Sequence, residues 1–293
     1  MQKPAMVRDG RALKKVLDGL YDRYNHRQYI GHDPLQFVYR YSEPCDIEVA
    51  AFLSAGLAYG RVEQIERSLE VLLRLLGQRP GDFVRDFGRS ERKTLQSFRH
   101  RFTAGEDIAE LLGLLRWVFS RFGSIEGFFL QGYDAGDDSV IPALAKFSDS
   151  LCARYADEHD GKVVAGLKYL LSSPSGGSAC KRLNLFLRWM VRCDEVDIGL
   201  WKSVDPAKLV VPVDVHIARL CQILGLYERR TVSLSAALEI TESFAEIEPR
   251  DPVKYDFALS RIGIWADCDG KYGSRCETCE LLDYCLRRKD WGK

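Results

Sequence analysis

Two short segments of the sequence carry side chains that could act together in catalysis. Residues 181–191 read KRLNLFLRWMV, and residues 213–220 read VDVHIARL. The first segment offers the amine of Lys181 on an amphipathic helix, and the second offers the carboxylate of Asp214 at the start of another helix. A lysine amine can attack a carbon and stay bound to it, while an ionised carboxylate stabilises the positive charge that develops. If both face one cleft, they can break an N-glycosidic bond and hold the sugar covalently.

The helix that carries Lys181 separates into an apolar face and a polar face. Apolar residues fall at the spacing of a buried stripe: Leu183, Phe186, Leu187, Met190 and Val191. Polar residues fall on a different face: Lys181, Asn184, Arg188 and Arg192. Because this face follows a glycine-rich turn at Gly176, Gly177 and Ser178, it is suited to phosphate contact through backbone N–H groups and cations. On charge pattern alone, a solvated helix face explains it better.

Asp214 follows Pro212 and Val213 and precedes an amphipathic run, which places it at a helix N-cap. Capping alone explains an aspartate there and contributes about 1 kcal/mol. The helix dipole also favours the ionised carboxylate. His216 and Arg219 follow closely, and they are expected to orient Asp214 or to contact phosphate.

Four of the nine cysteines are concentrated near the C-terminus, at Cys268, Cys276, Cys279 and Cys285, with the spacing C-x7-C-x2-C-x5-C. The odd total and an N-terminal segment unlike a secretion signal disfavour a disulfide framework and favour metal ligation. Four thiolates suit either an iron–sulfur cluster or zinc. The same segment holds a basic patch suited to phosphate: Lys271, Arg275, Arg287, Arg288 and Lys289.

Helical periodicity dominates the chain, and no segment shows convincing strand alternation, so we predict an all-α fold. The 42 basic and 42 acidic residues cancel, which argues mildly against a protein that coats nucleic acid but permits a local basic face. No apolar run is long enough to cross a bilayer, and residues 1–20 are charged throughout. A cytoplasmic monomer without a membrane partner is expected. His100-Arg101 has no partner at metal spacing and is expected at the surface or in a cap.

Together, the two segments resemble the helix-hairpin-helix DNA glycosylase superfamily, of the endonuclease III kind. Lys181 and Asn184 match the family's Lys-x-x-Asn setting after the hairpin, and residues 213–219 match its Val-Asp-x-His-Ile-x-Arg motif. The cysteine spacing differs from the family's by one residue in the first gap, which Gly270 and Gly273 can absorb. The match is strongest in these motifs, with a weaker likeness at residues 51–60.

The resemblance implies two helical domains that flank a cleft. Residues 46–205 would carry the hairpin and Lys181, and residues 206–293, packed with 1–45, would carry Asp214 and the four cysteines. These cysteines would hold a [4Fe–4S] cluster, with zinc as the alternative. Damaged duplex DNA is the implied partner, and its binding residues would be Gly176, Gly177, Ser178, Arg182, Arg188, His216 and Arg219. The base pocket is expected near Ser54, Tyr59 and Trp201, although both aromatics are more readily explained as core residues.

Three features depart from the endonuclease III pattern. Residues 175–180 stretch the hairpin, and the connector from Lys181 to Asp214 is longer, closer to the archaeal 8-oxoguanine glycosylase branch. Gly56 stands where endonuclease III has a glutamine that fills the gap left by the extruded base. The identity of the damaged base is therefore not implied, and the chain is most similar to an uncharacterised branch of the superfamily.

The sequence thus predicts a base-excision-repair glycosylase with AP lyase activity, acting on a damaged, oxidised base extruded from the duplex. Lys181 would form a Schiff base with the sugar, and Asp214 would assist. One alternative is a catalytically silent nucleic-acid-binding protein of the same fold. Another is a metal-stapled helical scaffold for protein partners, which predicts no salt-dependent affinity for DNA.

Overall fold

The computed structural model describes residues 10–229, 231–265, 268 and 270–287. Its α-helices are α1 Gly10–Tyr24, α2 Pro44–Gly56, α3 Val62–Leu76, α4 Pro80–Arg85, α5 Arg89–Thr94, α6 Gly105–Phe122, α7 Ile125–Phe129, α8 Ile141–Glu158, α9 Ala165–Leu170, α10 Lys181–Val191, α11 Val215–Ile223, α12 Leu234–Ile247 and α13 Asp256–Trp265. Strands β1 Arg99–His100 and β2 Thr103–Ala104 form an antiparallel hairpin. The chain is therefore mostly helical, which confirms the predicted all-α class at that level.

Helix α2 lies at the centre of the fold, and every residue from 46 to 55 is buried. It packs against α10, α4 and the 3-10 segment Pro34–Arg40. Phe52 of α2 meets Phe186 of α10 edge to face, with ring centroids 5.1 Å apart. This contact holds α10, whose first residue is Lys181, against a helix that is buried along most of its length.

Two acidic side chains of α2 accept hydrogen bonds from backbone N–H groups of other elements. The Oδ1 of Asp46 accepts the N–H of Gly81 at 2.7 Å, at the start of α4. The carboxylate of Glu48 accepts the N–H groups of Ile125 and Glu126, both at 2.9 Å, and so caps α7. Because a buried polar group without a partner costs free energy, these bonds explain why charged residues are tolerated in the core.

Beyond Lys181, the predicted polar face that runs along α10 is buried in this fold. Arg188 is 2% exposed and pairs with Asp197 and Asp256, while Arg192 is 3% exposed and pairs with Asp197, Asp194 and Asp251. The expectation of a solvated or phosphate-facing basic stripe is therefore wrong for these two arginines. Carboxylates from the connector after α10 and from the α13 region compensate the buried guanidinium charges, which holds α10, the connector and α13 together.

Helix α1 packs against α12 and α13, and α13 packs against α11. Polar bonds support this assembly: Lys14 pairs with Glu248 at 2.7 Å, and Lys254 pairs with Asp18 at 2.7 Å. Helix α1 thus joins the helices after residue 206. Residues 34–40 were predicted to pack with the same helices, but they contact α2 and α3. The domain boundary at residue 205 stays a prediction.

Among the described helices, none is both long and apolar enough to span a bilayer.

Candidate active site

The structure brings Lys181 and Asp214 into contact. The Nζ of Lys181 lies 3.1 Å from the Oδ2 of Asp214, and the two side chains keep 32% and 30% of their surface exposed. Lys181 is the first residue of α10, and Asp214 is the N-cap of α11. An amine and a carboxylate are thus paired at the N-terminal ends of two helices, where solvent or a ligand can reach both.

Asp214 is positioned by the extended segment before it and by the helix after it. Leu209, Val210 and Val211 of that segment are each 1% exposed, so burial anchors the backbone that delivers Asp214. Oδ1 of Asp214 accepts the N–H groups of His216 at 2.9 Å and Ile217 at 3.0 Å. The predicted cap is confirmed in this geometry. Because capping uses Oδ1, Oδ2 remains directed at Lys181.

The electrostatic surroundings keep the Asp214 carboxylate ionised. Burial alone would raise its pKa, but the Lys181 ammonium and the Ile217 N–H outweigh burial and hold the pKa of Asp214 below its ordinary value. An ionised carboxylate is the form that can stabilise a cation developing beside it.

The loop before α10 forms a tight turn, and its backbone N–H groups donate to carbonyls within the turn. The N–H groups of Gly176 and Gly177 donate to the carbonyls of Ser173 and Pro174, at 3.2 and 2.8 Å. Gly177 has φ of 77°, a left-handed conformation that glycine adopts without strain, and its carbonyl accepts the N–H of Leu234 at 3.0 Å. These two glycines are exposed. In this conformation, however, their N–H groups are not directed to a phosphate, contrary to the sequence prediction.

Ser178 and Cys180 complete the turn before Lys181. The Oγ of Ser178 accepts the N–H of Cys180 at 3.1 Å. Cys180 has φ of 46°, and its buried thiol donates to the carbonyl of Ser172 at 3.1 Å. A non-glycine residue in the left-handed region is uncommon, and here it reverses the chain directly into α10. This reversal sets the direction in which Lys181 leaves the turn.

Arg182 and Arg188 do not lie where DNA phosphates could reach them. Arg182 is 9% exposed and donates to the carbonyls of Gly56 and Tyr169, and its guanidinium carbon lies 3.9 Å from the centre of the Tyr169 ring. Arg188 is held in the buried ion pairs described above. Both assignments to DNA contact are therefore corrected: Arg182 ties α10 to α2 and α9, and Arg188 ties it to α13.

His216 and Arg219 have different surroundings on α11. His216 is exposed beside Asp214, so it remains available to a ligand. Arg219 is half-buried and donates to the carbonyl of Cys268 at 3.0 Å. Arg219 therefore holds the start of the cysteine segment against the helix that Asp214 caps, and its predicted contact with phosphate stays a prediction.

The three residues predicted for a base pocket are not gathered into one. Ser54 is fully buried in α2, and its Oγ has no hydrogen-bond partner among the described residues. Trp201 is 1% exposed and donates from Nε1 to Glu48 at 2.9 Å, which makes it a core aromatic. Tyr59 is half-buried, and its hydroxyl contacts Thr103 Oγ1 at 2.6 Å. Of the three, Tyr59 alone reaches a surface of the molecule.

The sequence prediction missed an aromatic group at the tip of the β1–β2 hairpin. Phe102 is 59% exposed and stacks on Tyr59, with ring centroids 5.0 Å apart. His100, expected at the surface or in a cap, is instead fully buried, bonded to Ser68 Oγ and the carbonyl of Tyr59. The signal was the alternation of aromatic and basic residues in 98–102, which reads FRHRF.

The four C-terminal cysteines line a single cavity of about 460 Å³. Its other walls include Leu220 and Ile262, so α11 and α13 form part of it. Burial raises the pKa of the Cys279 thiol, and the three other thiols add to that rise. Within the described ranges, no three side chains of the usual ligand types stand in a group that could hold a metal ion as placed. Arg288 and Lys289 of the predicted basic patch lie outside the described residues, and the Arg275 side chain is not described.

The fold and site define a helical protein with a partly exposed lysine–aspartate pair. The chain belongs to a family whose model, described as "Protein of unknown function (DUF2400)", matches residues 33–265. The matched region includes Lys181, Asp214 and Phe102 and ends before Cys268. Searches of curated proteins and of solved structures found no match.

Proposed function

We propose that this protein is a DNA glycosylase with AP lyase activity, which excises a damaged base through a covalent intermediate on Lys181. The observation that carries the proposal is the 3.1 Å contact between Lys181 Nζ and Asp214 Oδ2. Two residues that were paired from sequence motifs alone are neighbours in space, and each keeps about a third of its side chain exposed. A buried structural ion pair would not leave the amine open to a substrate.

The chemistry requires a neutral amine at the moment of attack. Lys181 releases its proton to solvent before it attacks, and Asp214 stays ionised at 3.1 Å from the amine. Nζ of Lys181 then bonds to C1′ of an extruded nucleotide, and the N-glycosidic bond breaks as the base leaves with its electron pair. A proton moves from Nζ to the ring oxygen as the sugar ring opens, which gives the protonated Schiff base. β-Elimination from this Schiff base cleaves the strand. During base departure, Asp214 Oδ2 stabilises the positive charge on the sugar.

We also propose that the cysteine segment holds a metal centre through its thiolates. Cys268, Cys276, Cys279 and Cys285 line one cavity, and four sulfur donors suit a [4Fe–4S] cluster or, as the alternative, zinc. The group would supply a structural link between the C-terminal segment and α11. Arg219 already links the two through its hydrogen bond to the Cys268 carbonyl. Binding of the metal centre would therefore stabilise the helix whose N-cap is Asp214.

Borohydride trapping tests the proposal. The protein is incubated with duplexes that carry an abasic site or one of several oxidised bases, reduced, and examined for a covalent protein–DNA species. We expect an adduct with the wild-type protein and with Lys168→Gln, which removes an exposed lysine of α9, and no adduct with Lys181→Gln. The duplexes that give an adduct would identify the lesion. Failure of the wild-type protein to form an adduct with any duplex would refute the lyase.

A second candidate function is nucleic-acid binding without turnover. The same contact supports it, because a protonated lysine paired with an ionised carboxylate is not a nucleophile until it loses a proton. This alternative predicts tight binding of abasic-site duplex together with no trapped species. Binding measured by fluorescence anisotropy beside the trapping experiment separates the two candidates.

A further inference from the structure

The tip of the β1–β2 hairpin presents a fixed aromatic ring to solvent. Among the exposed large apolar side chains of the described residues, Phe102 alone is aromatic. Its ring stacks on Tyr59 at an interplanar angle of 26° and meets Tyr169 edge to face, with centroids 4.7 Å apart. These two ring contacts hold Phe102 in one orientation, while 59% of its surface stays open to solvent.

The hairpin is rigid because the residues behind it are bonded into the core. The Tyr59 hydroxyl donates to the carbonyl of His100 at 3.0 Å. The His100 ring contacts Ser68 Oγ at 2.9 Å on α3 and the Tyr59 carbonyl at 3.0 Å. Burial lowers the pKa of His100, which keeps the ring neutral within these bonds. The exposure of Phe102 is therefore built into the fold, and a partner would find the ring already oriented.

Exposed arginines surround the hairpin. Arg61, Arg67 and Arg99 line an open groove of about 1130 Å³ between α3 and the hairpin, and Arg101 stands at the tip beside Phe102. Among the described residues, no ion pair with a carboxylate involves Arg61, Arg99 or Arg101. One carboxylate, Glu63, also lines the groove. Unpaired cations beside an aromatic ring complement a phosphate backbone and the base attached to it.

Arg182 connects this aromatic group to the candidate active site. It follows Lys181 directly, and its guanidinium carbon lies 3.9 Å from the centre of the Tyr169 ring and 5.4 Å from that of Tyr59. The two rings that support Phe102 are thus bound to the first turn of the helix that carries Lys181. The hairpin and Lys181 are therefore linked through the residue that follows Lys181 in the chain.

We propose that Phe102 is a stacking platform for an unpaired DNA base next to the lesion, and that Arg61, Arg99 and Arg101 bind its flanking phosphates. The inference rests on the proposed function, because it takes DNA as the bound molecule. A second copy of this chain fits the surface poorly, since it would bring the same unpaired cations to the contact. A DNA strand instead supplies bases with π-faces and one negative charge per phosphate.

The test compares Phe102→Ala and Phe102→Leu with the wild-type protein. Leucine keeps an apolar side chain and removes the ring. Leu238→Ala is the matched control, because Leu238 is an exposed apolar residue on α12. Fluorescence anisotropy measures the affinity for a duplex with a stable abasic analogue. We expect both Phe102 variants to bind roughly 5- to 150-fold more weakly, as the loss of one base–aromatic stack requires, and Leu238→Ala to bind as the wild type does. Thermal melting checks that each variant is folded.

The arginines are tested by the salt dependence of the same binding. The double variant Arg61→Ala/Arg99→Ala should flatten the slope of log affinity against log salt by about 1.5, as expected for two lost phosphate contacts. Unchanged affinity in the folded Phe102 variants, with an adduct still trapped on Lys181, would refute the platform and leave the glycosylase standing. Phe102-dependent binding without any adduct would refute the lyase and support the platform. No DNA binding by the wild-type protein would refute both.

Discussion

The Nζ of Lys181 lies 3.1 Å from the Oδ2 of Asp214, and this contact joins the first residue of α10 to the N-cap of α11. The long connector between the two helices is itself anchored by the buried acids that pair with Arg188 and Arg192. The pair is therefore held by the fold from both sides, which is what a preorganised catalytic group requires.

Replacing Lys181 should change the acidity of Asp214. Burial alone would raise the pKa of Asp214, and the Lys181 ammonium outweighs that effect. In Lys181→Gln the charge is lost and burial remains, so the pKa of Asp214 should rise. Carboxyl-carbon NMR titration measures it directly, and Lys168→Gln serves as the control. An Asp214 pKa that is the same in wild type and Lys181→Gln would show that the ion pair does not form in solution.

The same shift has a consequence for stability. Because the folded-state pKa of Asp214 is depressed, its contribution is fully present above the unfolded pKa and is lost as pH falls through the folded value. The difference in the free energy of unfolding between wild type and Lys181→Gln should therefore shrink in acid. Urea denaturation over a pH series measures it, and a difference that grows as pH falls would have the wrong sign.

Asp214 combines capping with a charge, and two substitutions separate the roles. Asp214→Ala removes both and should cost about 1 kcal/mol of stability. Asp214→Ser keeps an N-cap oxygen for the His216 and Ile217 N–H groups, so it should be nearly as stable as the wild type. Both variants should form the borohydride-trapped adduct more slowly than the wild type, because neither has a carboxylate at position 214. A serine variant that traps at the wild-type rate would show that Asp214 is a cap and nothing more.

The buried acid Asp197 should be essential to stability. It is 1% exposed and pairs with both Arg188 and Arg192. Asp197→Ala leaves two buried guanidinium groups short of a partner and should cost about 3–5 kcal/mol. The control Asp157→Ala removes an exposed acid of α8 and should change stability by less than about 0.5 kcal/mol. Urea unfolding measures both, and similar values would mean that the pairs are not formed.

The cysteine segment should bind a metal centre. Protein purified without oxygen should contain iron and sulfide in amounts that Cys276→Ser and Cys279→Ser reduce. Cys193→Ser, which alters an exposed cysteine outside the segment, should retain them. Elemental analysis also separates the alternatives, since zinc without sulfide would identify a zinc site. Neither metal in the wild-type protein would refute the centre.

The sequence predicted the residues of the Lys181–Asp214 pair better than it predicted the surroundings of that pair. Lys181 and Asp214 were paired because both sit in short motifs that resemble those of a known family. The cap at Asp214 follows from residues within three positions of it. The burial of Arg188 and Arg192 depends on acidic partners that include Asp251 and Asp256, which lie about 60 residues or more further along the chain. Helical periodicity showed a polar face, and periodicity cannot tell whether solvent or buried carboxylates meet that face.

The hairpin escaped prediction for a different reason. Its strands are only two residues long, so the aromatic and basic run at 98–102 is too short to predict them as strands. The exposure of Phe102 depends on two rings that support it, those of Tyr59 and Tyr169. Both residues are far from Phe102 in the sequence, one before it and one after it. Such a surface becomes visible only when the helices are packed.

The central claim is that Lys181 is the residue that bonds to DNA. The most direct measurement is mass spectrometry of the protein after reduction with borohydride, nuclease treatment of the bound DNA and proteolysis. We predict a sugar remnant on Nζ of Lys181 and on no other lysine. A remnant located on another lysine, or on an N-terminal amine, would contradict the assignment of the 3.1 Å pair as the catalytic centre.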